Sequence, residues 1–461
     1  MRLIVVVALS TLLGTSSCDV QGVSYACELD RDCPVGERCV LQVCSSTPAV
    51  EADGGALDDA GAGAADGGVP DGGSSPGDGG VAATDAGASG GDAGAPLPDA
   101  GPAPVCGDDA REGGEQCDDG NVVERDGCSS ACRVWWDEAF PVRLRVTLRS
   151  PAAGPVDAPV GLALPTALFP SGAPRDRACV VASDQRTVLP VEIERAATAT
   201  DEALLWTRLV LPSGDSELFV YFGSDASCAG SQGAVWQGYA GVFHFEGSVD
   251  STASIPLSAA GTGTTAAAAG IRGAALDVDT TAWPQVTPPG ALWITGSVTL
   301  EVWGRLSAFG AETSWENTLF QAAGGSAAQA YFLNIENSGR LRGYWEDSNF
   351  DALSTAACTL ALGQWHHYVM VRDNTADTVR FYVDGAALGD AIGFAGPPSD
   401  AAGSSSFIYF GGNFTSVGRR FTGTLDEVRV APAALSADAI AVSHAASKGA
   451  LVVATVREPS L

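Results

Sequence analysis

A chain of 461 residues is long enough for about three domains. Its formal net charge of −30 argues against nucleic acid, because holding phosphates needs a basic face. A hydrophobic fraction of 46% is ordinary but 57 glycines are not, so a folded part and an unstructured part are averaged together.

Arg2 precedes an apolar run from Leu3 to Leu13, then Gly14, Thr15, Ser16 and Ser17, and then Cys18. A positive start, a short apolar stretch and small residues read as a secretory signal peptide over residues 1–17, too short to span a bilayer. A Cys directly after the small residues resembles a bacterial lipoprotein signal, with Thr15 standing where Leu is commonest. The resemblance implies acylation of Cys18 and a lipid anchor in the bacterial outer membrane or cell surface. Ordinary cleavage and secretion, with Cys18 free or paired, is the alternative.

Residues 18–48 carry Cys27, Cys33, Cys39 and Cys44 with little apolar content. Their spacings miss the close Cys pairs of zinc sites, and an exported context favours disulfides, in any of three pairings. The pattern C-x5-C-P-x-G-x-x-C-x4-C is similar to a small Cys-rich module of secreted proteins. Residues 49–104 follow, rich in Gly, Ala, Asp, Pro and Ser, with no Lys, Arg or aromatic residue. Nothing there offsets the entropy of ordering, so a disordered acidic tether reaching about 40 Å is expected. Gly87-Ala88-Ser89-Gly90-Gly91 fits G-x-S-x-G formally, but lacks the strand-turn-helix that such a nucleophile needs.

Cys106, Cys117, Cys128 and Cys132 lie in C-G-D…G-E-Q-C-D-D-G-N…D-G-C…C. Residues 105–133 thus resemble a Cys-rich repeat of extracellular multidomain proteins, which implies two disulfides. Asp118, Asp119, Asn121 and Asp126 suit either calcium or tight turns; the spacing is not that of an EF-hand, and turn chemistry is favoured.

In residues 134–233, Val142, Leu144, Val146 and Leu148 alternate with Arg143, Arg145, Thr147 and Arg149, as in an amphipathic strand. Further strands are expected at Val188–Glu194, Leu204–Leu209 and Leu218–Gly223. The succession R-L-R-V-T-L…L-P-V-E-I-E…L-W-T-R-L…F-V-Y-F-G resembles an uncharacterised bacterial β-sandwich domain. In it Cys179 and Cys228 would pair, leaving Cys358 downstream as a small buried hydrophobe.

The densest pattern is Trp365-His366-His367-Tyr368-Val369-Met370-Val371-Arg372. Trp365, His367, Val369 and Val371 point one way and the others the opposite way. Val379–Val383 alternates again up to Asp384-Gly385, a hairpin signal. Strands at Phe407–Gly411 and Thr422–Val430 complete W-H-H-Y-V…F-Y-V-D-G…I-Y-F-G…G-x-L-D-E-V-R-V. With Val242–Glu246, Gly273–Asp277 and Ser297–Trp303 upstream, residues 234–447 resemble the laminin-G-like, concanavalin A-like jelly rolls of bacterial surface proteins. The expected fold class is all-β: this jelly roll preceded by a smaller β-sandwich, two small disulfide-rich modules and a disordered linker. Ser436 is the expected N-cap of a helix ending near Ser447, and 448–461 is read as a tail.

The family resemblance implies binding of a carbohydrate or protein ligand more often than chemistry. Glycoside hydrolases on this sandwich place paired acids on the strand corresponding to Val298–Arg305, which offers Glu301 alone. Adjacent His366 and His367 face opposite sides of a strand, one expected in the core and one at the surface. No enzyme is therefore expected. The resemblance also implies one calcium, held by Glu246 or Asp250 with Asp426; the alternative is that Asp426 or Glu427 pairs with Arg429 or caps a turn. Among Trp283, Trp293, Trp315, Tyr344 and Trp345, the preferred sugar-stacking candidates are Trp315 and Trp345, which border polar, turn-like segments. The expected whole is a surface binding or adhesion lipoprotein. A glycan-degrading hydrolase, its accessory binding module, and an envelope spacer are the alternatives.

Overall fold

The computed structural model describes residues 38–40, 43–45 and, with short breaks, 105–458. The chain divides into two units, one of them residues 21–103. In that unit β1 (Arg38–Val40) and β2 (Val43–Ser45) form a hairpin that sets Cys39 opposite Cys44. The expected signal peptide over 1–17, Cys18, Cys27, Cys33 and the expected linker over 49–104 lie outside the described residues.

Residues 105–133 are cross-linked by Cys106–Cys132 and Cys117–Cys128, the second nested inside the first. Asp118 accepts backbone N–H groups of Gly107, Asp109 and Gly120 at 2.8–2.9 Å. Those bonds, Gly120's foremost, hold its carboxyl below the usual range. Asn121 likewise accepts from Val123 at 2.7 Å, so these two residues serve their turns. Trp135, Trp136 and Phe140 then pack on Cys179, Val181, Phe219 and Tyr221.

The smaller sandwich holds β3 (Val142–Ser150), β4 (Val156–Leu164), β5 (Cys179–Ala182), β6 (Val188–Leu189), β7 (Val191–Arg195), β8 (Ala203–Leu211) and β9 (Gly214–Phe222). One sheet runs β3-β9-β5-β6 and the other β4-β8-β7. Val142, Leu144, Val146 and Leu148 are buried between them, as the alternation requires. Cys179 and Cys228 are bonded, as expected.

The larger sandwich has a nine-stranded and a seven-stranded sheet. The first contains β10 (Gly241–Phe243), β12 (Ala266–Ala269), β13 (Ala274–Val278), β15 (Val298–Leu306), β20 (Trp365–Asp373), β21 (Thr378–Val383), β22 (Ala386–Ala387), β23 (Ile392–Gly393) and β25 (Gly423–Ala431). The second runs β11 (Leu257–Gly261), β14 (Ala282–Val286), β24 (Ser405–Phe410), β16 (Thr318–Gly324), β17 (Gln329–Ile335), β18 (Leu341–Trp345) and β19 (Phe350–Leu353). Leu300, Val302, Tyr368, Met370, Val428 and Val430 of one sheet meet Phe320, Tyr331, Leu333, Ile408 and Phe410 of the other. Asp384 and Gly385 both take positive φ in the two-residue turn joining β21 to β22.

Three expectations are corrected. The tail is not one: α1 (Ala437–Ser447), capped by Ser436, leads into β26 (Val452–Glu458), which pairs antiparallel with β3. The chain thus returns to complete the smaller sandwich, whose core also takes Val235, Trp236, Val442 and Leu451. Cys358 is buried like a small hydrophobe but is disulfide-bonded rather than free, in keeping with an oxidising context. His366 and His367 do face opposite sides, yet both are buried and each meets a carboxylate.

Candidate functional site

Over β15, β20 and β25 the outer face of the nine-stranded sheet is covered. A bulge opposite Glu301 and Trp303 adds one residue to β25, with Glu427 at φ 46°. Leu425, Val428 and Val430 keep to the core, while Asp426, Glu427 and Arg429 turn towards the smaller sandwich and α1. Val442 and Ala446 of α1 join the smaller core, and Ile440 packs on Val369, Val371 and Tyr382. Gly161 of β4 lets the helix come close, since a Cβ there would lie 2.7 Å from the Ala446 carbonyl oxygen.

A continuous set of buried charges lies in this junction. His244 reaches Glu427 at 2.6 Å and Glu192 at 3.7 Å, and its ring lies against Trp206 and Trp236. Arg429 bonds Glu427, Ser443 at 2.9 Å and Ser447 at 3.0 Å. Glu301 accepts from Ser443 and lies 3.1 Å from His367. Burial works against the charge on His244, but Glu427, Glu192 and Glu194 hold it up at about 10. Burial likewise opposes ionised Glu427, but His244 and Arg429 bring it down to about 2. Such a cluster makes a fixed joint between the sandwiches, because separating its members would strand buried charge.

The proposed calcium ligands belong to this joint. Asp426 accepts from the backbone N–H of Arg272 at 3.2 Å and of Glu427 at 2.8 Å; Glu246 accepts from Ala274 at 2.7 Å. Both therefore brace the turn Gly270–Ala274. Arg195 stands 3.9 Å from Glu246, and the Arg272 guanidinium bonds Glu194 at 2.9 Å. Calcium asks for six to eight oxygens. The described donors, already engaged by N–H groups and flanked by cations, do not fit that shell, and Glu427 pairs with Arg429 as the alternative held. Asp250 lies outside the described residues.

The outer face of the seven-stranded sheet is built differently. Cross-strand register aligns Gln285, Tyr409, Gln321, Phe332, Tyr344 and Asp351 in one row over six strands. Their neighbours Ile408, Phe320, Tyr331 and Leu333 point into the core, so the row points outward. Phe332 stacks on Tyr344 at 5.2 Å, and Phe407 on Tyr409 at 5.7 Å. Gln321 and Phe332 form a buried floor; Gln285, Phe407 and Tyr344 are half-buried and Asp351 is exposed. At one edge Arg342 is held by Glu336 at 2.6 Å and by Asp351. Trp283, 6% exposed, meets Tyr409 edge-on.

Sequence reasoning named Tyr344 and Trp283 but preferred Trp315 and Trp345. Trp315 lies outside the described residues, and Trp345 ends β18 in register with Tyr331, one residue out of phase with the outward row. Gln285, Gln321, Phe332 and Tyr409 went unnamed. Their signal is present only as alternation within each strand, which marks a face but not how the strands align.

Residues 279–441 match the family model of the concanavalin A-like lectin/glucanases superfamily. This segment is a concanavalin A-like domain. Among solved structures, domain 4 of AbnA, an extracellular arabinanase from Geobacillus stearothermophilus in complex with arabinotriose, is 20% identical. It matches over 44% of this chain and 96% of that one, at a TM-score of 0.36. The binding domain of Paraclostridial Mosquitocidal Protein 1 is 13% identical over 45% of this chain and 52% of that one, at 0.34. The sialidase CBM40 of Ruminococcus gnavus, bound to α2,3 sialyllactose, is 13% identical over 37% and 96%, at 0.30. No curated protein sequence matches the chain.

Proposed function

We propose that the concanavalin A-like domain binds a carbohydrate on the outer face of its seven-stranded sheet, without cutting it. The observation that supports this is the outward row of aromatic rings and amides. Sugars offer apolar C–H faces to stack on rings and hydroxyl edges to pair with amides, and this row supplies both. Paired-acid cleavage would need two carboxylates flanking a bond about 5–9.5 Å apart. On this face Glu336 and Asp351 are both tied to Arg342 rather than free to act as an acid and a nucleophile, and Glu192, Glu194, Glu301, Asp426 and Glu427 are sealed in the joint.

The chain is read as an exported surface protein, anchored through acylated Cys18 and carried outward on the 49–104 tether, which would put the face within reach of an adhesion ligand. A glycan array with the full chain tests the binding reading. Retention of a glycan, lost in Tyr344→Ala and accompanied by no release of reducing sugar, is expected. Release of reducing sugar, or retention unaffected by the substitution, contradicts it.

A further inference from the structure

One end of the outward face differs from the rest. There the Arg420 guanidinium lies 4.0 Å from the centre of the Trp283 ring, and Tyr409 meets the same indole edge-on at 6.0 Å. Arg420 is held only by carbonyl oxygens: it donates to Thr280 and, through Nε at 3.4 Å, to Asn413. That leaves Nη2 without a protein partner among the described residues. Two arginines near the same face, by contrast, are neutralised locally, Arg342 by Glu336 and Asp351 and Arg419 by Glu312 at 2.8 Å. Among the described residues Arg420 has no such carboxylate. Its surroundings are partly dry, and burial draws the guanidinium below its ordinary value.

Two neighbours flank it. Trp283, more than nine-tenths buried, lays its ring beneath the guanidinium, and its Nε1–H, without an acceptor among the described residues, is packed against Gly412. Burial pushes the Tyr409 phenol up, so it remains a hydroxyl that can donate. The backbone makes room for the ring: Gly411 takes φ 73°, and a Cβ at Gly412 would run into the indole. A half-buried cation with no anion beside it is costly, and the cost falls when a carboxylate arrives. A planar guanidinium fork suits a carboxylate better than a lone hydroxyl.

We infer that Arg420, with Trp283 and Tyr409, forms a carboxylate subsite, so that the ligand of this face is an acidic sugar of the uronic or sialic type. This rests on the reading that the face takes a glycan. The sugar ring would lie along the aromatic row from Tyr409 towards Tyr344, with its carboxylate on Arg420. The chain's overall negative charge opposes this only weakly, because at physiological salt it is screened beyond about 8 Å.

The test is a glycan array probed with the full chain, carrying acid-terminated oligosaccharides beside their carboxyl-reduced counterparts. Retention of the acidic forms about tenfold or more above the reduced forms is expected, weakening as salt is raised. Arg420→Gln should erase that preference while keeping the weaker retention of the reduced forms, and Arg420→Lys should keep part of it. Equal retention of acidic and reduced glycans by the wild type, or a preference unchanged in both variants, overturns the carboxylate subsite alone. Retention of no glycan of either kind overturns the carbohydrate reading with it.

Discussion

Replacing Arg429 with Met probes the joint between the sandwiches most sharply. The guanidinium is 2% exposed and bonds Glu427, Ser443 and Ser447, with Trp206 and Trp236 rings 4.6 and 5.2 Å away. Met fills similar volume, so the change removes the charge rather than the packing. Glu427 then keeps His244 as its partner but loses its second cation, and Glu301 loses a nearby positive charge. Breaking a buried pair by removing one partner costs about 3–5 kcal/mol, which for a body of this size lowers Tm by about 4–7 °C. The assay is thermal and urea unfolding of the full chain, with Glu427→Gln and the double variant alongside. The double variant should recover part of the loss, since Glu427 is no longer charged and Glu192 remains as the partner of His244. A loss below about 1 kcal/mol in Arg429→Met, or strictly additive losses in the double variant, would refute the reasoning.

Other consequences can be measured in the same way. Ending the chain after Lys448 removes fully buried Leu451 and the strand β26, at about 2–5 kcal/mol for the leucine and about 1 kcal/mol per lost ladder hydrogen bond; early unfolding of the smaller sandwich is expected by urea titration. His244 faces Glu192 and Glu194 of β7 and Glu427 of β25, with Arg429 close by, and its folded value of about 10 lies above the ordinary 6.5. Its contribution is therefore complete below about pH 6.5 and lost as pH rises through about 10, so the Tm deficit of His244→Gln should be widest in acid and narrow towards pH 10. Replacing Cys179 and Cys228 together with Ser should cost about 2–4 kcal/mol in urea unfolding. Millimolar calcium should leave Tm unchanged; a clear rise would mean that Glu246 and Asp426 take part in an oxygen shell after all.

The sequence was legible where one side chain in two had to be apolar. Val142–Ser150 exposes a clean alternation, Trp365–Asp373 reads as a strand although both its faces are buried, and Asp384-Gly385 announces its turn because few other pairs accept two positive φ angles. β26 was illegible for the opposite reason: Val452–Glu458 has exposed valines and no clean alternation, and its partner β3 lies about three hundred residues earlier. The joint was hidden by a single bulge. Without it Asp426 and Glu427 would point to opposite faces; with it both leave the core. His366 and His367 were placed on the right sides of their strand, but no strand pattern tells that α1 and a second sandwich will cover the outer side. The candidate face turned on a phase of one residue, Tyr344 against Trp345, which only the register with β17 decides.

The central claim is where the ligand sits. Hydrogen–deuterium exchange of the full chain, with and without a glycan retained on the array, tests it directly. Protection is expected over Leu341–Trp345 and Ser405–Phe410, with α1 and β26 unchanged. Protection confined to α1 or to the smaller sandwich, with those two strands unaffected, would contradict the account.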